Sequence, residues 1–272
     1  MNEIENLSLR GIEQLYGKNA LAKFQASTIM VVGLGGVGSW AVESLCRSGV
    51  GCIVLIDFDE VCSSNLNRQL CATLDNIGKK KSLALKERMS LIQPLCRIEI
   101  VDQFLSAQNI EAIFSQFQPD YVIDAIDSVS DKCHLIHHCF SHQIPIIVTG
   151  GAAGKIDPTE IRLCDLGLAT YDQLLMHVRK KLRRDFAYHK AQGSLKAKAK
   201  KLHIPCVYSQ EIPQSKLENN SCEQVIDLDL GLDLSIAGSK LCENKYGSVT
   251  HVTATFGLFA ASAALKHLSQ LA

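Results

Sequence analysis

The stretch from Thr28 to Asp59, TIMVVGLGGVGSWAVESLCRSGVGCIVLIDFD, admits few folds. Ile29, Val31 and Val32 are β-branched and apolar, as a buried parallel strand requires. Gly33-Leu34-Gly35-Gly36-Val37-Gly38 follows at once, and a helical pattern begins behind it. Glycines at these positions allow a tight turn and a close approach of backbone to a phosphate, which the helix N-terminus then faces with its amides and positive dipole. A second strand, Cys52 to Phe58, carries Asp57 nineteen residues after Gly38, where a carboxylate commonly binds ribose hydroxyls. Strand, glycine turn, helix and acid-bearing strand together predict a nucleotide-binding βαβ unit. An empty tight turn is the bland alternative.

What lies past Asp57 argues against a nicotinamide site. Ser64, Asn65 and Arg68 come next, then Asn76-Ile77-Gly78-Lys79-Lys80-Lys81 opening a helix that runs to about Ile92. A hydride-transfer site has no role for an amide and a guanidinium here. A triphosphate does, because the arginine fork matches phosphate oxygens. Lys81 in a first helical turn opposes the helix dipole unless an anion lies nearby. Tyr121 to Asp124 is a third apolar strand, and Asp127 and Ser128 follow its carboxyl end, the side on which open parallel sheets bind ligands. Asp127 is placed to hold Mg²⁺ against nucleotide phosphates, with Asp124 structural.

Other segments are less committal. Residues 1–27 read as helical, with Leu15, Ala22 and Phe24 packing on the body. Strands are expected at Arg97–Val101 and Ile144–Val148, and helices at Ile110–Phe117 and Tyr171–Phe186. Thr149 to Gly154 is a second glycine-rich turn, which either admits a ligand or only redirects the chain. His134, His137, His138 and His142 lie near one face of a helix; with Cys133 and Cys139 off that face and no nearby carboxylate, a solvated face is expected rather than a metal site.

The formal charge is zero over 272 residues, so the whole molecule selects no partner by charge. Arg179 to Lys201, however, holds ten basic residues against one acid, Asp185. Such a block reads as a polyanion footprint, and Arg179, Lys180, Lys181, Arg183 and Arg184 are its candidate nucleic-acid contacts. Residues 214–247 read as a mobile loop containing Cys222 and Cys242. Eleven scattered cysteines with no CxxC suit reduced thiols in a cytoplasm. The apolar run after Val249 is short and carries Thr and His, so a buried or subunit-interface helix is expected rather than membrane insertion.

GLGGVGSW, DFDEVCSSNLNRQ, the Gly78/Lys81 helix start and DAIDS resemble the ubiquitin-activating-enzyme-like superfamily. Within it, LYG at 15–17, IPIIVTGGAAGKIDPTEI, RRDF at 183–186 and VTATFG at 252–257 are most similar to the tRNA threonylcarbamoyladenosine dehydratase family. The resemblance implies a Rossmann-like, doubly wound α/β fold with a mainly parallel sheet in one adenylation unit spanning 1–272: core 28–150, basic helix and loop 170–247, C-terminal helix 249–269. It implies ATP and Mg²⁺, and a carboxylate that attacks the ATP α-phosphate. Gly33, Gly35 and Gly36 would lie under the phosphates and Asp57 would hold the ribose. Asn65, Arg68 and Lys81 would grip phosphates, with Ser64 and Ser128 lining the site. Arg68, Lys81 and Asp127 would be the catalytic set. Expected partners are tRNA carrying threonylcarbamoyladenosine, a second copy of the chain and a sulfur-relay protein. The superfamily's arginine from a partner subunit has no match before LYG, where Gln14 stands; Arg10 is the nearest substitute. The zinc-binding CxxC pairs of the carrier-protein adenylyltransferases are absent. That disfavours, without removing, the alternative of activating a ubiquitin-like or sulfur-carrier protein.

Overall fold

A computed structural model describes residues 3–188, 201–213 and 246–271. Among the described residues seven strands form one sheet, in the order β3-β2-β1-β4-β5-β7-β6. They are β1 (Thr28–Val32), β2 (Cys52–Ile56), β3 (Arg97–Val101), β4 (Tyr121–Asp124), β5 (Ile146–Thr149), β6 (Ile161–Asp165) and β7 (Pro205–Ser209). All neighbours pair in parallel except β6 and β7, which are antiparallel. The strand order reverses direction between β1 and β4, leaving a crevice at their carboxyl ends.

Side-chain alternation sorts each central strand between two cores. Ile29, Val31, Ile53, Leu55, Ile123 and Ile147 face one layer. Helix α3 (Gly38–Arg47) and the last helix, α8 (Thr250–Ser269), cover that layer, α8 through Val252, Phe256, Ala260, Ala261, Ala264, Leu265 and Leu268. Met30, Val32, Val54, Ile56, Val122 and Val148 face the opposite layer. There α5 (Ile110–Phe117), α6 (Val129–Ser141) and α7 (Gln173–Asp185) pack. The expected helix from Gly78 is α4 (Lys81–Ile92). Among the described residues no helix is long and apolar enough to cross a membrane. α8 is instead interior, its small residues allowing close packing on α3.

Several expectations need correction. The second strand ends at Ile56, so Asp57 and Phe58 belong to the loop beyond it. The N-terminal segment forms α1 (Glu3–Tyr16) and α2 (Lys18–Ala26), but Leu9, Ala20 and Phe24 face the body, whereas Leu15 and Ala22 are exposed. β6 and β7 were not expected. The histidine face is not simply solvated: His138 is buried with its ring 4.4 Å from Phe114, and the His134 and His137 rings pack on Phe186. Lys190, Lys196, Lys198, Lys200, Cys222, Cys242 and most of the 214–247 loop lie outside the described residues.

Candidate active site

The turn after β1 is shaped by contacts that only glycine tolerates. Gly33 has φ +88°, and a Cβ there would lie 2.7 Å from the Ala125 carbonyl oxygen. A Cβ on Gly38 would lie 1.8 Å from the Gly33 oxygen. These two glycines let β1, the start of α3 and the loop after β4 meet. Gly35 is different, since a Cβ there would touch only the Gln69 side chain, at 3.9 Å. Its outer face is open, as a phosphate cradle needs. Gly36 lies beneath Arg68 and Thr253, each 3.2 Å from where a Cβ would stand.

Asp57 is locked to this turn. The Leu34 amide donates to Oδ2 at 2.6 Å and the Asp59 amide to Oδ1 at 2.7 Å. Burial pushes its pKa up, opposed by the Lys81 charge and these two amides. Each oxygen keeps a lone pair for a hydroxyl donor. The Asp59–Val61 segment then runs beside Gly78–Lys81, with Gly78 N donating to Val61 O and Lys81 N to Asp59 O. That pairing brings Lys81 across from the nucleotide turn. Its ammonium is buried and 2.8 Å from Asp59 Oδ2.

Ser64, Asn65 and Arg68 are carried by a short 3₁₀ turn, Ser63–Asn65, and the loop after it. Asn65 is buried and accepts from the Cys62 amide through Oδ1. The Arg68 guanidinium donates to Ser64 O and Asn67 Oδ1, at 2.8 and 2.9 Å. Among the described residues it has no carboxylate partner, so its charge is uncompensated. α3 fixes the arginine's backbone: Trp40 Nε1 donates to Arg68 O, and the Ser39 hydroxyl accepts from the Leu70 amide. Gln69, which sequence reasoning passed over, is buried with an Oε1 that accepts no hydrogen bond.

Asp127 is exposed in the loop after β4, with Ser128 beside it at the N-cap of α6. Among the described residues its carboxylate accepts no hydrogen bond and joins no ion pair. The loop is held from below by a pair that the sequence does not advertise. Lys132 and Asp124 are both fully buried and 2.8 Å apart, and Lys132 Nζ also donates to Ile126 O. Burial pushes the Asp124 carboxyl up, against the pull of Lys132.

The second glycine turn is filled by protein. Asp172 caps α7, accepting from the Leu175 and Gly151 amides at 2.9 Å each. A Cβ on Gly150 would stand 2.1 Å from its Oδ2. Lys155 is buried nearby and donates to the Ser209 and Glu211 carbonyls. The basic face of α7 is also divided. Arg179 donates to the Leu166 and Ala169 carbonyls, Lys181 and Arg184 both engage Asp185, and Lys180 and Arg183 have no acidic partner among the described residues.

A glycine cradle at a strand-order reversal, rimmed by an unpaired guanidinium, defines a nucleotide-binding α/β protein of the doubly wound type. Its sequence matches the ThiF family over residues 9–272, and the chain belongs to that family. It is 42% identical over 263 residues to the tRNA threonylcarbamoyladenosine dehydratase of Escherichia coli, covering 95% of this chain and 92% of that one. The crystal structure of the E. coli enzyme in complex with ATP superposes with a TM-score of 0.82 at 38% identity, covering 99% of this chain and 97% of that one. Its complex with AMP gives 0.83 at 38% identity and the same coverage. The E. coli molybdopterin-synthase adenylyltransferase is a more distant relative, 32% identical over 149 residues, 55% of this chain and 57% of that protein.

Proposed function

We propose that this chain is an ATP-dependent tRNA threonylcarbamoyladenosine dehydratase, closing the modified adenosine of tRNA into its cyclic form. The observation that carries this is the likeness to the E. coli dehydratase over nearly the whole of both chains. Likeness to a carrier-protein adenylyltransferase stops at about half the chain.

In this reading the threonyl carboxylate of the modification attacks the ATP α-phosphate, giving an acyl adenylate and pyrophosphate. A nucleophile within the modification then closes on the activated carbonyl and expels AMP, so that water is lost overall. The protein's part is positioning and charge. Asp57 binds the ribose, while Gly35 and Gly36 bring backbone under the phosphates in front of α3. Arg68, whose charge nothing in the described structure neutralises, meets the phosphates together with Asn65 and Lys81. Charge developing on phosphorus and pyrophosphate is stabilised with little reorganisation, because Ser64 O and Asn67 already orient the Arg68 guanidinium, the Cys62 amide orients Asn65 and Asp59 orients Lys81.

Mg²⁺ fits the unengaged Asp127 carboxylate at the carboxyl end of β4, since Mg²⁺ is usually held by one or two carboxylates plus substrate phosphates. Asp127 would hold it, with Ser128 alongside. When bound, the ion would supply positive charge to the phosphate oxygens.

For tRNA, Lys180 and Arg183 are the phosphate contacts of the described part of the basic block, with Lys181 and Arg184 shared with Asp185. Arg179 serves as a tether of α7. A homodimer is supported by the apolar side chains of Leu15, Leu83, Leu91 and Leu95, which one copy leaves exposed. Arg10 is exposed on α1 and is the candidate to reach the neighbour's site. The cysteines among the described residues are all free thiols, in keeping with a cytoplasmic enzyme, where a sulfur-relay protein is the further partner to test.

The test is mass spectrometry of nucleosides from tRNA bearing linear threonylcarbamoyladenosine after incubation with the protein and Mg·ATP. A nucleoside lighter by one water, with AMP released, is expected. Unchanged tRNA with protein that binds ATP would refute the reading and direct attention to carrier proteins.

A further inference from the structure

α5 and α6 bring together three side chains that the nucleotide site does not use. Glu111 comes from the first turn of α5, and His138 and His142 lie one turn apart on α6. One ligand atom from each lies within 4.8 Å of the other two. His138 Nδ1 is 3.6 Å from Glu111 Oε2. That is long for a hydrogen bond, but close to the spacing of two donors on one tetrahedral ion, about 3.3–3.5 Å for bonds of about 2.0–2.1 Å.

The rings are prepared for the task. His142 Nδ1 contacts the His138 carbonyl oxygen at 2.9 Å and must therefore carry the proton, leaving Nε2 as the lone-pair donor. Phe114, edge-on at 4.4 Å, and His142, stacked at 4.2 Å, hold the His138 ring from two sides. Glu111 and His142 are exposed, whereas His138 is buried between them and Phe114.

We propose that Glu111, His138 and His142 form a surface site for a divalent transition metal of the zinc class, with a fourth position open to water. Two imidazoles and a carboxylate suit zinc better than magnesium or calcium, which prefer all-oxygen shells. Bound metal would staple α5 to α6, the helix whose buried Lys132 supports the Asp127 loop.

The test is zinc titration of the full-length, reduced, chelator-treated protein by calorimetry, beside a Glu111→Gln/His142→Gln double variant. Both substituted residues are exposed, so the fold is retained, and thermal melts without metal would check this. The wild type is expected to bind one zinc ion more than the variant, or to bind at least about fivefold more tightly. Zinc should also raise its melting temperature alone. The same stoichiometry with affinities within about fivefold would assign the zinc to the cysteines and overturn the site.

Discussion

Among the described residues, glycine-rich turns follow two parallel strands at their carboxyl ends, Gly33–Gly38 after β1 and Gly150–Gly154 after β5, and their surroundings are opposite. In the first, Gly33 and Gly38 are crowded by backbone but Gly35 faces open space, with an unpaired arginine above its neighbour. In the second, the space before Gly150 is taken by the Asp172 carboxylate. In the proposed function the first turn takes its anion from the nucleotide, whereas the second is filled by an acidic side chain. Glycine content therefore marks where backbone must come close to something. Only the fate of the surrounding charges tells whether that something is a substrate.

The largest effect is expected from discharging the first turn. Arg68→Ala should reduce turnover by about a thousandfold or more while leaving the melting temperature within a few degrees, because the arginine's contribution lies in charge opposite phosphate. Dehydration near the wild-type rate would remove it from the site. Lys132→Met should act from below. It strands the buried Asp124 charge and should cost about 3–5 kcal/mol in denaturant unfolding. A loss below about 1 kcal/mol would show that the pair does not support the Asp127 loop.

At the second turn the effect should be on stability and not on nucleotide. Asp172→Ala removes two acceptor bonds, one of them the N-cap of α7, which should cost about 1–3 kcal/mol. ATP affinity of the folded protein should be unchanged in equilibrium binding. A tenfold loss of ATP affinity would erase the distinction between the turns.

The smallest effect concerns the footing of α3. Burial would raise the Glu43 carboxyl, but hydrogen bonds and charge from Arg88 and Arg47 outweigh it and hold the pKa below the ordinary 4.5. A lowered folded-state value means stability that is present above about pH 4.5 and is lost as the pH falls through the folded value. Glu43→Gln should thus cost about 1–2 kcal/mol at pH 7, with the gap closing in acid unfolding titrations. A gap that persists at the lowest pH would assign the loss to packing.

The first turn was legible in the sequence because its parts are local. Strand, glycines, helix and acid follow within thirty residues, and each element's periodicity agrees with the next. The edge pair β6–β7 was not. Ile161–Asp165 and Pro205–Ser209 are short and find each other across forty residues, so no local pattern announces the antiparallel pairing. Lys132 was missed for a related reason. A lysine on a helix reads as solvent-facing, and only the fold shows Asp124 waiting at the end of β4. His138 reads as surface until Phe114 is seen against it, and Glu111 joins the histidines only because α5 and α6 meet. The basic block was legible as charge alone, since which of its cations are already engaged depends on carbonyls at Leu166 and Ala169.

In the proposed reaction the threonyl carboxylate is activated at the ATP α-phosphate over the first turn, by formation of an acyl adenylate. This step is tested most directly by labelling the threonyl carboxylate of the modified tRNA with oxygen-18 and following the label through one turnover. One labelled oxygen is expected in AMP, left there when ring closure expels it, and none in pyrophosphate. Label appearing in inorganic phosphate together with ADP would mean attack at the γ-phosphate and would contradict the proposed reaction.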